Sequence, residues 1–273
     1  MFFSNTPFHA QLMMSLILLA PLACILTLAV SAVWRRERNQ GLPPVPLYPG
    51  SCFPGAFDWS YTIFFSILTI LSALISVYGA GQTDVSKVTA GSMIISTLMQ
   101  CMLYLPFLVR FISMPRPIAP TLDFGGKLMY VFISLGAIIL PFKLLDCLGF
   151  FHYVMETTGC PEFQEVVVMF RDGDMGVKLA VAFAAVIMAP ICEEVVYRGF
   201  VYQMLKQYSG RIAACILSAL LFSVIHGALV QSLPLFIFGV VQCILFERTR
   251  SVCLPIIVHA IYNAASLLLI LFI

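Results

Sequence analysis

Residues 177–200 read VKLAVAFAAVIMAPICEEVVYRGF, and this stretch decides what kind of molecule the chain is. From Leu179 to Ala189 every residue is apolar; two adjacent carboxylates, Glu193 and Glu194, and a guanidinium, Arg198, then follow in the same run. Ionisable groups are costly inside a hydrocarbon layer, and they are kept there at sites or as buried ion pairs. Glu194 and Arg198 are four apart, so on a helix they share a face and can pair. Glu193 lies about 100° round the helix and points elsewhere. The expected division is one carboxylate neutralised by Arg198 and one free to act. Pro190 removes a backbone donor just upstream, which kinks a helix, frees a carbonyl and makes room for water. The plainer reading is a purely structural ion-pair cluster.

The rest of the chain is of the same kind. Of its 273 residues, 61% are hydrophobic and 10% charged, with a mean hydropathy of +1.00. Soluble domains are about 25% charged, so this composition cannot supply the polar surface of a soluble globule. The expected fold is all-α: a polytopic transmembrane helix bundle of about eight spans, with a catalytic core in the last four. Spans are expected at Leu12–Val33, Trp59–Tyr78, Ser92–Ile112, Leu128–Leu148, Val177–Lys206, Ile212–Val230, Leu233–Phe246 and Val252–Ile273. The first lacks a basic leader and reads as an uncleaved helix. Residues 1–176 are taken as amino-terminal helices and loops, and 177–273 as the core.

Charge sets the orientation. With the amino terminus outside, the inner links hold ten basic residues: Arg35, Arg36, Arg38, Arg110, Arg116, Lys127, Lys206, Arg211, Arg248 and Arg250. The outer links hold four: Lys87, Lys143, Arg171 and Lys178. That asymmetry follows the positive-inside rule. A proline-rich stretch, Gly41–Gly55, separates the first two spans, and prolines 115, 117 and 120 keep another link non-helical. The longest polar stretch, Cys147–Gly176, contains Phe163–Phe170 (FQEVVVMF), which reads as a short interfacial helix within either a packed connector or a lid. A net charge of +2 gives no reason to expect nucleic-acid binding. Nine cysteines without a CxxC argue against a thiolate zinc site, and spacing alone does not decide whether Cys147 and Cys160 pair.

Two further polar groups stand in the late apolar segments. His226 ends the run Phe222-Ser223-Val224-Ile225-His226, with Gly227 next. His259 and Asn263 are four apart and stack on one face of the last span. Polar side chains flanked by leucine and isoleucine must find partners inside the bundle. Taken singly, each has a structural reading: a packed histidine, or an asparagine tying two helices together. Together they bring two carboxylates, two imidazoles and a carboxamide into an otherwise apolar region. There is no GxSxG elbow and no HExxH, so serine-hydrolase and common zinc-protease readings lack support. Water is the fitting nucleophile.

The order EExxxR (Glu193 to Arg198), FxxxH (Phe222 to His226) and HxxxN (His259 to Asn263) resembles the CAAX-protease and bacteriocin-processing family of intramembrane proteases, which includes the type II CAAX prenyl endopeptidases. The resemblance covers roughly residues 178–270, with Tyr197 where phenylalanine is common. It implies peptide-bond hydrolysis in a multi-pass integral membrane protein, with a membrane-associated peptide or protein as substrate and the lipid bilayer as surroundings. Glu193 would be the general base on a water oriented by His226. His259 and Asn263 would donate to the oxyanion, and Glu194 and Arg198 would hold the helix end and the charge balance. Fixed donors in a dry cavity are worth about 3–4 kcal/mol each. No cofactor is required in this reading. The alternative is a zinc-dependent version with His226, His259 and Glu193 as ligands and water in the fourth place; Asn263 makes more sense as an oxyanion donor than as a ligand. Two other classes stay open: a catalytically silent binding or immunity protein, and a small proton-relaying transporter. The expected location is a bacterial plasma membrane.

Overall fold

The computed structural model describes residues 88–113, 122–159, 164–227 and 229–272, and every regular element among them is helical. The expected spans Leu12–Val33 and Trp59–Tyr78, the proline-rich segments and Cys160 lie outside the described residues. Cys147 is exposed and unbridged.

Helix α1 is Ala90–Ser113 and α2 is Phe124–Cys147. Asp123 caps α2 by accepting from the Gly126 amide at 2.9 Å, which satisfies one of the orphan donors of a first turn. Two short helices follow, α3 (Phe150–Thr158) and α4 (Glu165–Asp172). The short helix expected over Phe163–Phe170 forms as α4, over Glu165–Asp172. It is tied down: Phe170 packs with Val177, Val181 and Leu267, and Gln164 donates to Gln231 at 2.7 Å. Arg171, 2.8 Å from Asp172, holds that exposed carboxyl below the usual carboxylate range.

The stretch that opened the sequence analysis forms one long run, Met175–Lys206, broken in hydrogen-bond register but not in direction. It comprises α5 (Met175–Phe183), a π-helical segment (Ala184–Met188), α6 (Ala189–Glu194) and a second π-helical segment (Val195–Tyr202). The Asp174 side chain starts it by accepting from Val177 at 2.8 Å. Then come α7 (Gln203–Ile225), α8 (Ser232–Thr249) and α9 (Cys253–Ile270). Gly210, at φ 81°, breaks α7 near its start, a conformation that glycine adopts without penalty.

Among the described residues five helices are long and apolar enough to cross a membrane: Ala90–Val109, Phe124–Cys147, Met175–Lys206, Ser232–Thr249 and Cys253–Ile270. The bundle is an integral membrane protein by composition and length. Two boundaries differ from expectation. The span expected over Ile212–Val230 stops at Ile225, where His226 and Gly227 (φ 65°) turn the chain. Its apolar part, Ser209–Ile225, is about 25 Å long at 1.5 Å per residue, short of a ~30 Å hydrocarbon core. Glu247, Arg248 and Thr249 are helical rather than a link, and the reversal falls on Arg250 (φ 52°), whose amide donates to Phe246 at 2.7 Å.

Side chains are distributed as a lipid-facing bundle requires. Large apolar residues such as Met102, Phe132, Leu140 and Ile212 are exposed, while Glu194, Arg198, Gln242 and His259 are buried. Helices α7 and α8 form the tightest pair. A Cβ on Gly239 would come within 2.9 Å of Ala219, so only glycine allows that approach. Helix α9 packs on the first π segment and α6, while α1 packs on α5 and the second π segment. The Glu-Glu stretch is therefore enclosed by α1, α7, α8 and α9.

Candidate functional site

The two adjacent carboxylates have different surroundings. Glu194 is fully buried and surrounded by partners. Its Oε2 is 3.1 Å from Arg198 Nε, and its Oε1 is 2.9 Å from His259 Nδ1. The Gln242 amide donates to the same Oε1 at 3.4 Å and to the Pro255 carbonyl at 2.8 Å. Arg198, equally buried, also donates to the Gly239 carbonyl at 3.3 Å, and its guanidinium lies 4.8 Å from the centre of the Phe222 ring. The missing side chain of Gly239 serves twice: it lets α8 approach α7 and leaves its carbonyl within reach of Arg198. A buried ion pair is sustained when further hydrogen bonds occupy its remaining lone pairs and protons; here Glu194 Oε1 and Arg198 Nη2 have them, while Glu194 Oε2 and Arg198 Nε meet only as an ion pair.

Glu193 points the other way. Its Oε2 has no hydrogen-bond partner, although it is shielded from solvent. It faces His226 Nε2 at 3.8 Å and His259 Nε2 at 4.0 Å. The hydrogen bonds on the far side of each ring set its protonation pattern. In His226, Nδ1 lies 2.6 Å from the Phe222 carbonyl oxygen. A carbonyl only accepts, so Nδ1 carries the proton, and in the neutral ring Nε2 presents a lone pair to the gap. His259 Nδ1 likewise donates to the Glu194 carboxylate, with Nε2 facing Glu193. Aromatic rings wall the site: Phe238 stands 4.7 Å from the His259 ring and 5.5 Å from Phe222.

Asn263 is placed by the backbone irregularity upstream of Pro190. In the first π segment the Ala189 amide donates to Ala184, one residue further back than in an α-helix. The same register would give the Ala185 carbonyl the amide of residue 190. Residue 190 is proline and has no amide hydrogen. The orphaned Ala185 oxygen instead accepts from Asn263 Nδ2 at 2.7 Å. A buried carbonyl without a partner is costly, so the carboxamide on α9 and the proline on α6 depend on each other. The freed carbonyl expected from Pro190 is Ala185.

The six residues singled out in sequence, Glu193, Glu194, Arg198, His226, His259 and Asn263, thus come from the long helix, the end of α7 and α9 to one region. Gln242 was missed. A lone amide in the apolar run Leu233–Phe246 was the available signal, since such a group must find a partner inside the bundle.

The gap can be tested against zinc. Ligands around a tetrahedral zinc stand about 3.3 Å apart, and the two imidazole nitrogens are 3.8 and 4.0 Å from Glu193 Oε2. Among the described residues no three His, Cys, Asp or Glu side chains are placed to hold a metal ion. The two nitrogens stand about 0.5–0.7 Å further from Glu193 Oε2 than ligands drawn onto a zinc would. A water hydrogen-bonded at about 2.8 Å to each neighbour would have to stand off the 3.8 Å line from Glu193 to His226.

Residues 176–265 match the family described as Rce1-like, type II CAAX prenyl endopeptidase Rce1-like. No curated protein and no solved structure matches the chain. The matched residues contain all six side chains read from the sequence, together with Gln242 and Pro190. Over that segment, set in a bundle of apolar helices, the chain is similar to the type II CAAX prenyl endopeptidases.

Proposed function

We propose that the chain hydrolyses a peptide bond of a membrane-associated peptide or protein with a water activated by Glu193. The observation that carries this reading is the unpartnered Glu193 Oε2, enclosed and faced by two imidazole nitrogens at 3.8 and 4.0 Å. A water in that gap gives one hydrogen to Glu193 and the other to the His226 Nε2 lone pair. Its own lone pair is then aimed at a carbonyl carbon. Glu193 takes the proton as the C–O bond forms, and passes it to the leaving amine as the C–N bond breaks. Such proton transfers typically contribute about 10²–10⁴-fold.

The tetrahedral intermediate carries a negative oxygen. His259 is the donor for it, through a proton on Nε2, while its Nδ1–H keeps its hydrogen bond to the Glu194 carboxylate. The Asn263 amide has two hydrogens; one is committed to Ala185, and the second is the other donor. Glu194, Arg198 and Gln242 fix His259 and do not touch substrate. The family's name makes a prenylated carboxy-terminal peptide the first substrate to assay.

The test uses the purified chain in lipid vesicles with fluorogenic peptides, prenylated and not. Wild type should cleave. Glu193→Gln and His226→Ala should each lose on the order of 10²-fold or more in turnover and still melt like wild type. Cleavage that survives Glu193→Gln would remove the carboxylate from the mechanism. Activity lost to chelation and restored by zinc would replace the metal-free route with the metal-dependent one. Absence of cleavage, with tight binding of the same peptides, would favour a silent binding protein.

A further inference from the structure

A second recess lies away from Glu193 and shares no residue with the site. It is a cleft of about 940 Å³ between α7 and α8. Its floor and walls include Ile212, Ile216 and Ile244, and its rim carries Arg211, Arg248 and Arg250. The isoleucines are 79%, 47% and 52% exposed, so the cleft opens on the lipid-facing surface of the bundle. The three arginines are exposed too, and none makes an ion pair with a described residue. The one carboxylate in the lining, Glu247, is already paired with Lys206.

Two backbone breaks put those cations together. Gly210 turns the chain immediately before Arg211, and Arg250 itself takes the left-handed conformation that ends α8. The rim thus gathers basic groups from both helices at one end of the bundle, the end that charge asymmetry assigns to the cytoplasm. Anionic lipids are concentrated on that face of a membrane.

We propose that this cleft binds an anionic phospholipid, with its phosphate on Arg211, Arg248 and Arg250 and an acyl chain along the isoleucines. Guanidinium forks match phosphate oxygens in geometry and charge. The apolar wall is exposed where acyl chains are. Neither part alone specifies the ligand: a basic rim without a groove attracts any anion, and a groove without cations attracts any lipid.

The experiment compares trace spin-labelled phosphatidylglycerol with trace spin-labelled phosphatidylcholine around the full chain in phosphatidylcholine vesicles. Electron paramagnetic resonance reads the motionally restricted fraction of each. At physiological salt, phosphatidylglycerol should be held severalfold over phosphatidylcholine. Arg211→Gln with Arg248→Gln and Arg250→Gln should bring the ratio to about one, and single substitutions should lower it partway. Ile216→Trp with Ile244→Trp fills the groove with every charge kept, and should also lower the ratio. A ratio near one for wild type overturns the proposal. So does a ratio untouched by the arginine substitutions. A ratio lost with the arginines but unchanged by the tryptophans means a diffuse basic surface, and also overturns it. Inorganic phosphate that displaces the labelled lipid at constant ionic strength would assign the rim to free phosphate instead.

Discussion

Glu193 and Glu194 are neighbours in sequence and opposites in setting. Around Glu194, Arg198, His259 and Gln242 occupy the carboxylate from three elements. Around Glu193 there is a gap, and Oε2 has no hydrogen-bond partner. The first carboxylate is ion-paired with a guanidinium and hydrogen-bonded to an imidazole, an arrangement suited to holding a shape. The second retains unmet hydrogen-bonding capacity, which is what a base waiting for a water requires. The comparison also separates the two histidines. His226 is held by a backbone carbonyl of its own helix, whereas His259 is held by a carboxylate from another.

Given that contrast, the two carboxylates should fail differently. The largest effect is expected at Glu193→Gln: turnover falls by about 10²–10⁴-fold, while the melting temperature in detergent stays near wild type. Glu194→Ala should reverse the balance. It strands a buried guanidinium, and breaking such a pair costs about 3–5 kcal/mol, read as a large drop in melting temperature. A Glu194→Ala protein as stable as wild type would show that the network around Arg198 holds nothing together.

A smaller effect is expected from Asn263→Ala, which leaves the Ala185 carbonyl unsatisfied at a cost of about 1–3 kcal/mol. Pro190→Ala sharpens the point by restoring an amide hydrogen at position 190. In that background Asn263→Ala should cost less stability, with a coupling of about 0.5–3 kcal/mol in the double-mutant cycle. Turnover in the double variant separates the two uses of the carboxamide. Recovery with stability makes Asn263 a positioning residue only; persistent loss leaves it as an oxyanion donor. Smaller again, Gly239→Ala should cost roughly 1–3 kcal/mol by forcing α8 off Ala219. Unchanged melting would mean that the helices yield there without penalty.

Much of this was legible before any coordinates. The pairing of Glu194 with Arg198 follows from a spacing of four on a helix, and the opposite aim of Glu193 follows from the next residue's rotation. His259 and Asn263 share a helix face, as their spacing requires, yet serve different partners, Glu194 and Ala185. Periodicity places a side chain on a face but is silent about which helix meets that face. Gln242 was overlooked for the same reason, since its importance lies in Glu194 and Pro255, which are distant in sequence. The early end of α7 at Ile225 escaped because Ala228 to Val230 continue the apolar pattern, while the turn depends on Gly227.

The sequence by itself determined the class of molecule. Apolar runs of span length can be accommodated only in a bilayer, and the few charges within them had to be paired or functional. It also carried the resemblance to the CAAX-protease family, because the motifs keep their order and spacing. Tertiary structure decided which carboxylate is held and which is open, that Asn263 answers a carbonyl orphaned by Pro190, and that two helix breaks gather three arginines above an apolar groove. The physical reason is range. Helix period and hydropathy act between residues within a few positions of one another, whereas hydrogen-bond partners are assigned by helices that meet from opposite ends of the core.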